Sequence, residues 1–321
     1  MLRYAFHRFL ILIPVLIGIS IVVFFLIKLQ PGDPFVGMIS PETTPEQKQE
    51  LLRQAGYLDP IWMQYVHWAS HAIVGDFGYS TQSGAPVLVL IQERLLNTFL
   101  LAAGSLLVTF LVALPLGIYL GLHRGNAADS VVSFFYFVSI SIPVFFIAIL
   151  LVKLCAMKLH WFPVSGVETL GNSDTGLSHI KDVLWHLCLP SLALAVANIG
   201  IFSRYLRSGI SELVNRPFVK SLFARGLNRH RVIFPHLIKN AAKPLITVLG
   251  MEIPTLLSST LLTEIVFNWP GVGRLSFEAI QARDYPLLMG IILSLAVVTL
   301  VINFLVDISY ALVDPRVRLH S

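Results

Sequence analysis

Six stretches of the chain stay apolar long enough to cross a bilayer as a helix, which takes about 20 residues. They lie at about 9–29, 95–122, 130–154, 187–207, 244–264 and 285–312. The second is longer than a span requires, so it must tilt or project past the membrane. The fifth is interrupted by one acid, Glu252. Runs this continuous predict helices, because barrel strands would alternate apolar and polar positions over short segments. The pattern predicts an all-α polytopic membrane protein, one transmembrane domain across residues 1–321.

The connections are unequal. Residues 30–94 form a large segment with a helix start of their own. Thr44 stands at the N-cap, Pro45 at the first helical position and Gln47 at the capping-box position, and that helix should end near Gly56. A second apolar-aromatic stretch, 61–74, carries Trp62, Tyr65 and Trp68, rings suited to a membrane interface or to the core of a small cap. The other sizeable connection, 208–243, is polar and basic. At the N-terminus, Arg3 and Arg8 precede an apolar run too long for a signal-peptide core and lacking a small-residue cleavage pattern, so it reads as a retained first helix.

Composition narrows the class. Hydrophobic residues make up 55% of the chain, charged residues 13%, and mean hydropathy is +0.76. That excludes a soluble enzyme and a disordered chain. Two cysteines, Cys155 and Cys188, both in apolar runs, exclude a disulfide scaffold. The formal charge of +5 is unevenly spread. The N-tail, the loop after the second span, residues 204–243 and the C-tail hold 14 of the 23 basic residues and three of the 18 acids. The positive-inside rule assigns these segments, and both termini, to the cytoplasm. A basic excess placed this way speaks of topology, not of a nucleic-acid partner.

Within 208–243, Pro217 can open a short helix and Gly226 can end it in a left-handed conformation. Such a helix carries Phe218, Leu222 and Phe223 with the cations Lys220 and Arg225. It suits docking into a groove on another protein, and equally a basic helix on anionic lipid. Here the motifs add to the physics. Lys220, Ser221, Ala224, Arg225, Gly226, Leu227, His236 and Asn240 resemble the EAA loop of permease subunits in binding-protein-dependent ABC importers, in particular the B-type subunits of the dipeptide, oligopeptide and nickel family. Leu222 and Phe223 depart from the small and basic residues usual there. Further matches follow in order: Pro31-Gly32-Asp33-Pro34, Gly75-Asp76-Phe77-Gly78-Tyr79-Ser80, Arg94-Leu95-Leu96-Asn97-Thr98, Ser141-Ile142-Pro143, Trp161-Phe162-Pro163, the run from Glu264 through Trp269-Pro270-Gly271 to Arg274, and Asp314-Pro315-Arg316.

The resemblance implies a type I importer permease fold in the bacterial inner membrane. It further implies a second homologous permease, two ATP-binding-cassette ATPases below, a solute-binding protein above, and peptide cargo. The residues it implies for ATPase coupling are Phe218, Lys220, Ser221, Leu222, Ala224, Arg225, Gly226, Leu227, Arg229 and Arg231. No cofactor is expected on this chain, with ATP and magnesium carried by the ATPases. The residues agree in one respect: no Gly-x-x-x-x-Gly-Lys-Ser/Thr, His-Glu-x-x-His, Cys-x-x-Cys or Gly-x-Ser-x-Gly motif occurs, so the chain reads as a transport subunit, not an enzyme. An ion-coupled secondary transporter is the alternative, but it would bring several intramembrane ionisable groups and often inverted repeats.

Glu252, at a costly depth for a charge, is a candidate for lining the cargo path with Ser258 and Ser259, against a structural acid at a subunit interface. Pro254 should kink its helix, while Ser258, Ser259 and Thr260 equally suit close packing. Gly117 and Gly121 are spaced for close helix contact. His67 and His71 share a helical face without an evident third ligand, and Asp33 and Asp76 read as turn formers. The loop from Trp269 to Arg274 reads as an outer re-entrant or gate-adjacent turn.

Overall fold

The computed structural model describes residues 2–29, 44–54, 58–169, 171 and 175–313. Pro31 to Pro34, Gly56 and Asp314 to Arg316 lie outside the described residues, as does the side chain of Ser258.

The chain opens with α1 (Leu2–Lys28), α2 (Pro45–Gln54) and α3 (Ile61–Ile73). The start of α2 is a capping box: Thr44 N donates to Gln47 Oε1 at 3.1 Å and Gln47 N donates back to Thr44 Oγ1 at 3.3 Å. Next comes α4 (Val87–Leu122), which begins ahead of residue 95 because Val87 and Ile91 continue its buried stripe.

The third apolar run is not one straight span. It comprises α5 (Ala127–Ser141), α6 (Val144–Leu151) and a π-helical stretch (Val152–Lys158), bent by 102° at the break. Pro143 explains the break. It disfavours helical geometry at the preceding residue, and Ile142 adopts φ −93°, ψ 125°.

The fourth run belongs to α7 (Leu177–Leu213), which starts well before residue 187. The added turns hold Asp182 and His186 one turn apart, with carboxylate and Nδ1 3.3 Å from each other. At 37 residues α7 is about 55 Å long and must extend past a hydrocarbon core of about 30 Å.

The segment after it folds as α8 (Pro217–Ala224), α9 (Arg229–Val232), a π-helical stretch (Ile233–Ile238) and α10 (Lys239–Ala241). Then come α11 (Lys243–Val266), α12 (Val272–Ala282) and α13 (Tyr285–Val313). Between Leu256 and Ser259, α11 bends by 51°. The bend lies past Pro254, not on the N-terminal side where a proline removes a helical hydrogen bond. Among the described residues four helices are long and apolar enough to span a membrane, or up to six spans if each bent pair counts as one. Among the described residues the only β pairing is an isolated bridge from Tyr79 to Pro86.

Two compact units divide the chain. The larger comprises residues 97–270 and the end of α13. Its core joins Ala113 of α4, Phe202, Leu206 and Ile210 of α7, and Leu245 and Val248 of α11. The α4–α7 crossing is tight because it uses glycine: a Cβ on Gly117 would stand 2.9 Å from Ser203 O, and one on Gly121 2.7 Å from Ile210 Cβ. The other unit comprises residues 2–96 and 271–301. There Val87 and Ile91 pack with Val272, Leu275, Leu287 and Ile291, and Phe24 packs with Tyr65 and Trp68. Asp284, fully buried, caps α13 through Leu287 N at 3.2 Å and accepts from Ser80 Oγ at 2.5 Å.

Candidate functional site

The segment from α8 to α10 is built from local signals and then held by burial. Arg216 is extended at the N-cap, and Pro217 fills a position where no N–H is needed. The helix ends in a complete Schellman motif: Gly226 N donates to Phe223 O at 2.9 Å and Leu227 N to Leu222 O at 3.3 Å. Gly226 has φ +79°, a conformation that strains other L residues. Leu222 and Leu227, the hydrophobic pair that accompanies this motif, pack against one cluster of Val219, Val232, Ile233 and Leu237. The unusual Leu222 therefore serves the cap. Asn228 starts α9, its Oδ1 accepting from Arg231 N at 3.0 Å.

The same cluster includes Leu122 at the end of α4 and Leu213 and Val214 at the end of α7. Val219, which the sequence did not single out, is the buried key of α8. Turned away from the cluster are Phe218, 40% exposed, and Phe223, 46% exposed, with Lys220, Ser221, Ala224, Arg225, Gly226, Arg229 and Arg231 also exposed. Phe234 adds a third exposed ring, stacked 6.3 Å from His230. The result is an aromatic and cationic surface fixed to the ends of two spans.

An ion pair that sequence reasoning missed joins α7 to the first turn of α5. Arg207 of α7 donates through Nε and an Nη to the two oxygens of Asp129 on α5, at 2.5 and 2.7 Å. Asp129 also accepts from Gly125 N at 2.9 Å, in the turn between α4 and α5. Arg124 donates to Ser211 Oγ at 3.1 Å. The partners stand 78 positions apart, and no short motif signals such a pair.

Glu252 lies on the face of α11 that carries Leu245, Val248 and Leu256, and it is half-buried while its neighbour Met251 is exposed. Ser259 Oγ donates to Leu256 O at 3.0 Å within the helix, and Thr260 is buried.

Further along, Glu264 is fully buried and accepts from Thr98 Oγ1 at 2.8 Å. Trp269 is fully buried, its indole donating to Asn97 O at 2.9 Å while Asn97 Nδ2 donates to Pro270 O at 2.9 Å. The turn at Trp269 is thus bound to the α4 backbone. His67 and His71 stack at 4.5 Å, with His71 Nδ1 2.9 Å from His67 O. Among the described residues no three His, Cys, Asp or Glu side chains converge as a metal would require. Asp76 accepts from Gly78 N at 3.0 Å, in turn geometry.

Four to six apolar spans among the described residues, with an attached basic-aromatic segment, define a polytopic membrane protein. The chain matches the family described as binding-protein-dependent transport system inner membrane component over residues 113–319, and the N-terminal component of the same system over residues 1–102. It belongs to this family. It is 35% identical over 319 residues to the oligopeptide transport system permease protein AppB of Bacillus subtilis strain 168, covering 99% of this chain and all of that one. It is 32% identical over 336 residues to the dipeptide transport system permease protein DppB of Escherichia coli K12, covering 99% of each. In fold it resembles a chain of the inward-facing MetNI methionine ABC transporter, with TM-score 0.54 and 14% identity, over 71% of this chain and 97% of that one. The protein is a multi-pass inner-membrane permease subunit of an ATP-binding-cassette importer with the type I permease fold. The ion-coupled alternative is set aside.

Proposed function

We propose that this chain forms half of a translocation pathway for peptides delivered by an extracytoplasmic solute-binding protein, in partnership with a second homologous permease and two ATPase subunits. The observation that carries the reading is the exposed surface of Phe218, Phe223, Lys220 and Arg225, joined through Val219 to the ends of α4 and α7. A rigid knob of this kind suits insertion into a cleft of an ATPase. The remaining coupling residues, Ser221, Leu222, Ala224, Gly226, Leu227, Arg229 and Arg231, shape the knob or rim it with charge. ATP and magnesium sit on the ATPases, and this chain binds no cofactor. The concentration of basic residues at this end supports cytoplasmic termini. Peptide cargo is supported by the relatives, which are named for oligopeptide and dipeptide transport.

Transport then proceeds by alternating access. ATP binding draws the ATPases together, the knob moves with them, and α4 and α7 follow because they share its hydrophobic cluster. Purification in mild detergent should yield this chain with a second permease and two ATPases, and vesicles carrying the four should take up peptide only with ATP and binding protein. Isolation of this chain alone, or uptake driven by an ion gradient without ATP, overturns the reading.

In this scheme Glu252, with Ser258 and Ser259, lines the path and favours cationic cargo or the peptide amino group. Glu252→Gln is expected to lower uptake of cationic peptides about tenfold more than anionic ones, the value of one charge-assisted contact. Equal loss for both, or no loss, rules this out.

A further inference from the structure

Helix α3 has a bare apolar flank whose direction the structure defines. Trp62, Val66 and Ile73 share one stripe of the helix and are 62%, 58% and 86% exposed. On the other flank stand His67 and His71, also exposed, while Ser70 lies one turn from Val66 at the edge of the apolar stripe. Between the flanks, Tyr65 and Trp68 face α1, their rings 5.5 and 5.7 Å from Phe24.

Two contacts orient α3 against that span. Lys28, the last residue of α1, donates to Gln64 Oε1 at 2.6 Å. The next residue, Tyr65, meets Ser20 Oγ at 2.9 Å, which is about 12 Å deeper along α1. Adjacent residues on α3 rise only about 1.5 Å, so the difference reflects side-chain direction, and α3 crosses α1 steeply. Rotating about α3 from Gln64 to Tyr65, about 100°, therefore turns from the end of the span toward its interior. The same rotation again reaches Val66, with Trp62 and Ile73 beside it. The bare flank points down along an apolar membrane-spanning helix, and the histidine flank points away from it. The crossing at Phe24 lies about 6 Å below Lys28, within the apolar run.

We propose that α3 is an interfacial helix inserted in the outer leaflet, with Trp62, Val66 and Ile73 among the acyl chains and His67 and His71 in water. Its occupant is lipid: a soluble partner would have to approach from the membrane side, and cover by the second permease would leave position 66 unquenched by lipid and water alike, which overturns the proposal. The division into flanks is that of helices that lie in a bilayer interface, and the tryptophan suits the acyl–headgroup boundary. This inference rests on α1 being a membrane span with its N-terminus in the cytoplasm, as proposed above, and is independent of cargo and ATPase pairing.

The test uses the assembled transporter in lipid nanodiscs, with Cys155 and Cys188 replaced by alanine. An environment-sensitive fluorophore is attached at Val66→Cys, at Ile73→Cys or at His71→Cys. Quenching by nitroxide-bearing lipid should be at least about threefold stronger at 66 and 73 than at 71, and quenching by aqueous iodide should run the other way. Iodide quenching at 66 equal to that at 71 overturns the proposal. So does protection of the 66 label from iodide only when the solute-binding protein is added, which would assign the flank to a protein partner.

Discussion

Asp129→Ala is expected to destabilise the protein by about 3 kcal/mol, because it leaves the Arg207 guanidinium without its carboxylate in a mostly buried setting. The Asp129 side chain is 5% exposed and that of Arg207 24%, so water can replace little of the lost interaction. The turn between α4 and α5 loses the acceptor for Gly125 N as well. Thermal unfolding in detergent, followed by loss of the monodisperse peak, should show a clear drop in midpoint. Arg207→Lys keeps the charge but loses the two-pronged geometry, so it should fall between the wild type and Asp129→Ala. Replacing both partners with apolar residues of similar size, Asp129→Leu with Arg207→Met, should recover most of the loss. An unchanged midpoint for Asp129→Ala would show that the pair carries no stability.

Replacing Phe218 and Phe223 together by serine is expected to abolish coupled uptake while leaving the fold intact. Both rings project from α8, so their removal opens no cavity in the Val219 cluster. Buried aromatic anchors at protein interfaces contribute about 2 kcal/mol or more each, so losing two should weaken ATPase binding on the order of a thousandfold. The variant should insert and melt normally, lose the ATPases on purification, and transport nothing. Val219→Asp makes the contrast: it buries an acid in the cluster and should lower the melting midpoint itself. Retained ATPases and uptake in the double-serine variant would refute the docking role of α8.

Local rules explain why α8 was readable from sequence. Pro217, Gly226 and Asn228 act on backbone within one turn, and the structure contains the N1 proline, the Schellman cap and the asparagine cap. The Thr44–Gln47 box is local in the same way. The break before Pro143 was open to the same logic, but hydropathy averages over a window, and a broken span scores like a straight one. Leu222 and Phe223 look alike in a list of apolar residues. Only the packed cluster separates the one that serves the cap from the one that projects outward.

The sequence by itself determined the membrane class, six apolar spans, the family and the basic-aromatic segment, because each is a matter of composition or of residues a few positions apart. Only the tertiary structure decided which distant polar groups meet. Asp129 finds Arg207, Thr98 finds Glu264 and Ser80 finds Asp284 across 78, 166 and 204 positions. It also decided that the apolar flank of α3 points down its neighbouring span. The physical reason is common to all of these: a buried charge or hydroxyl must find a partner, and helix packing, not chain proximity, determines which one is within reach.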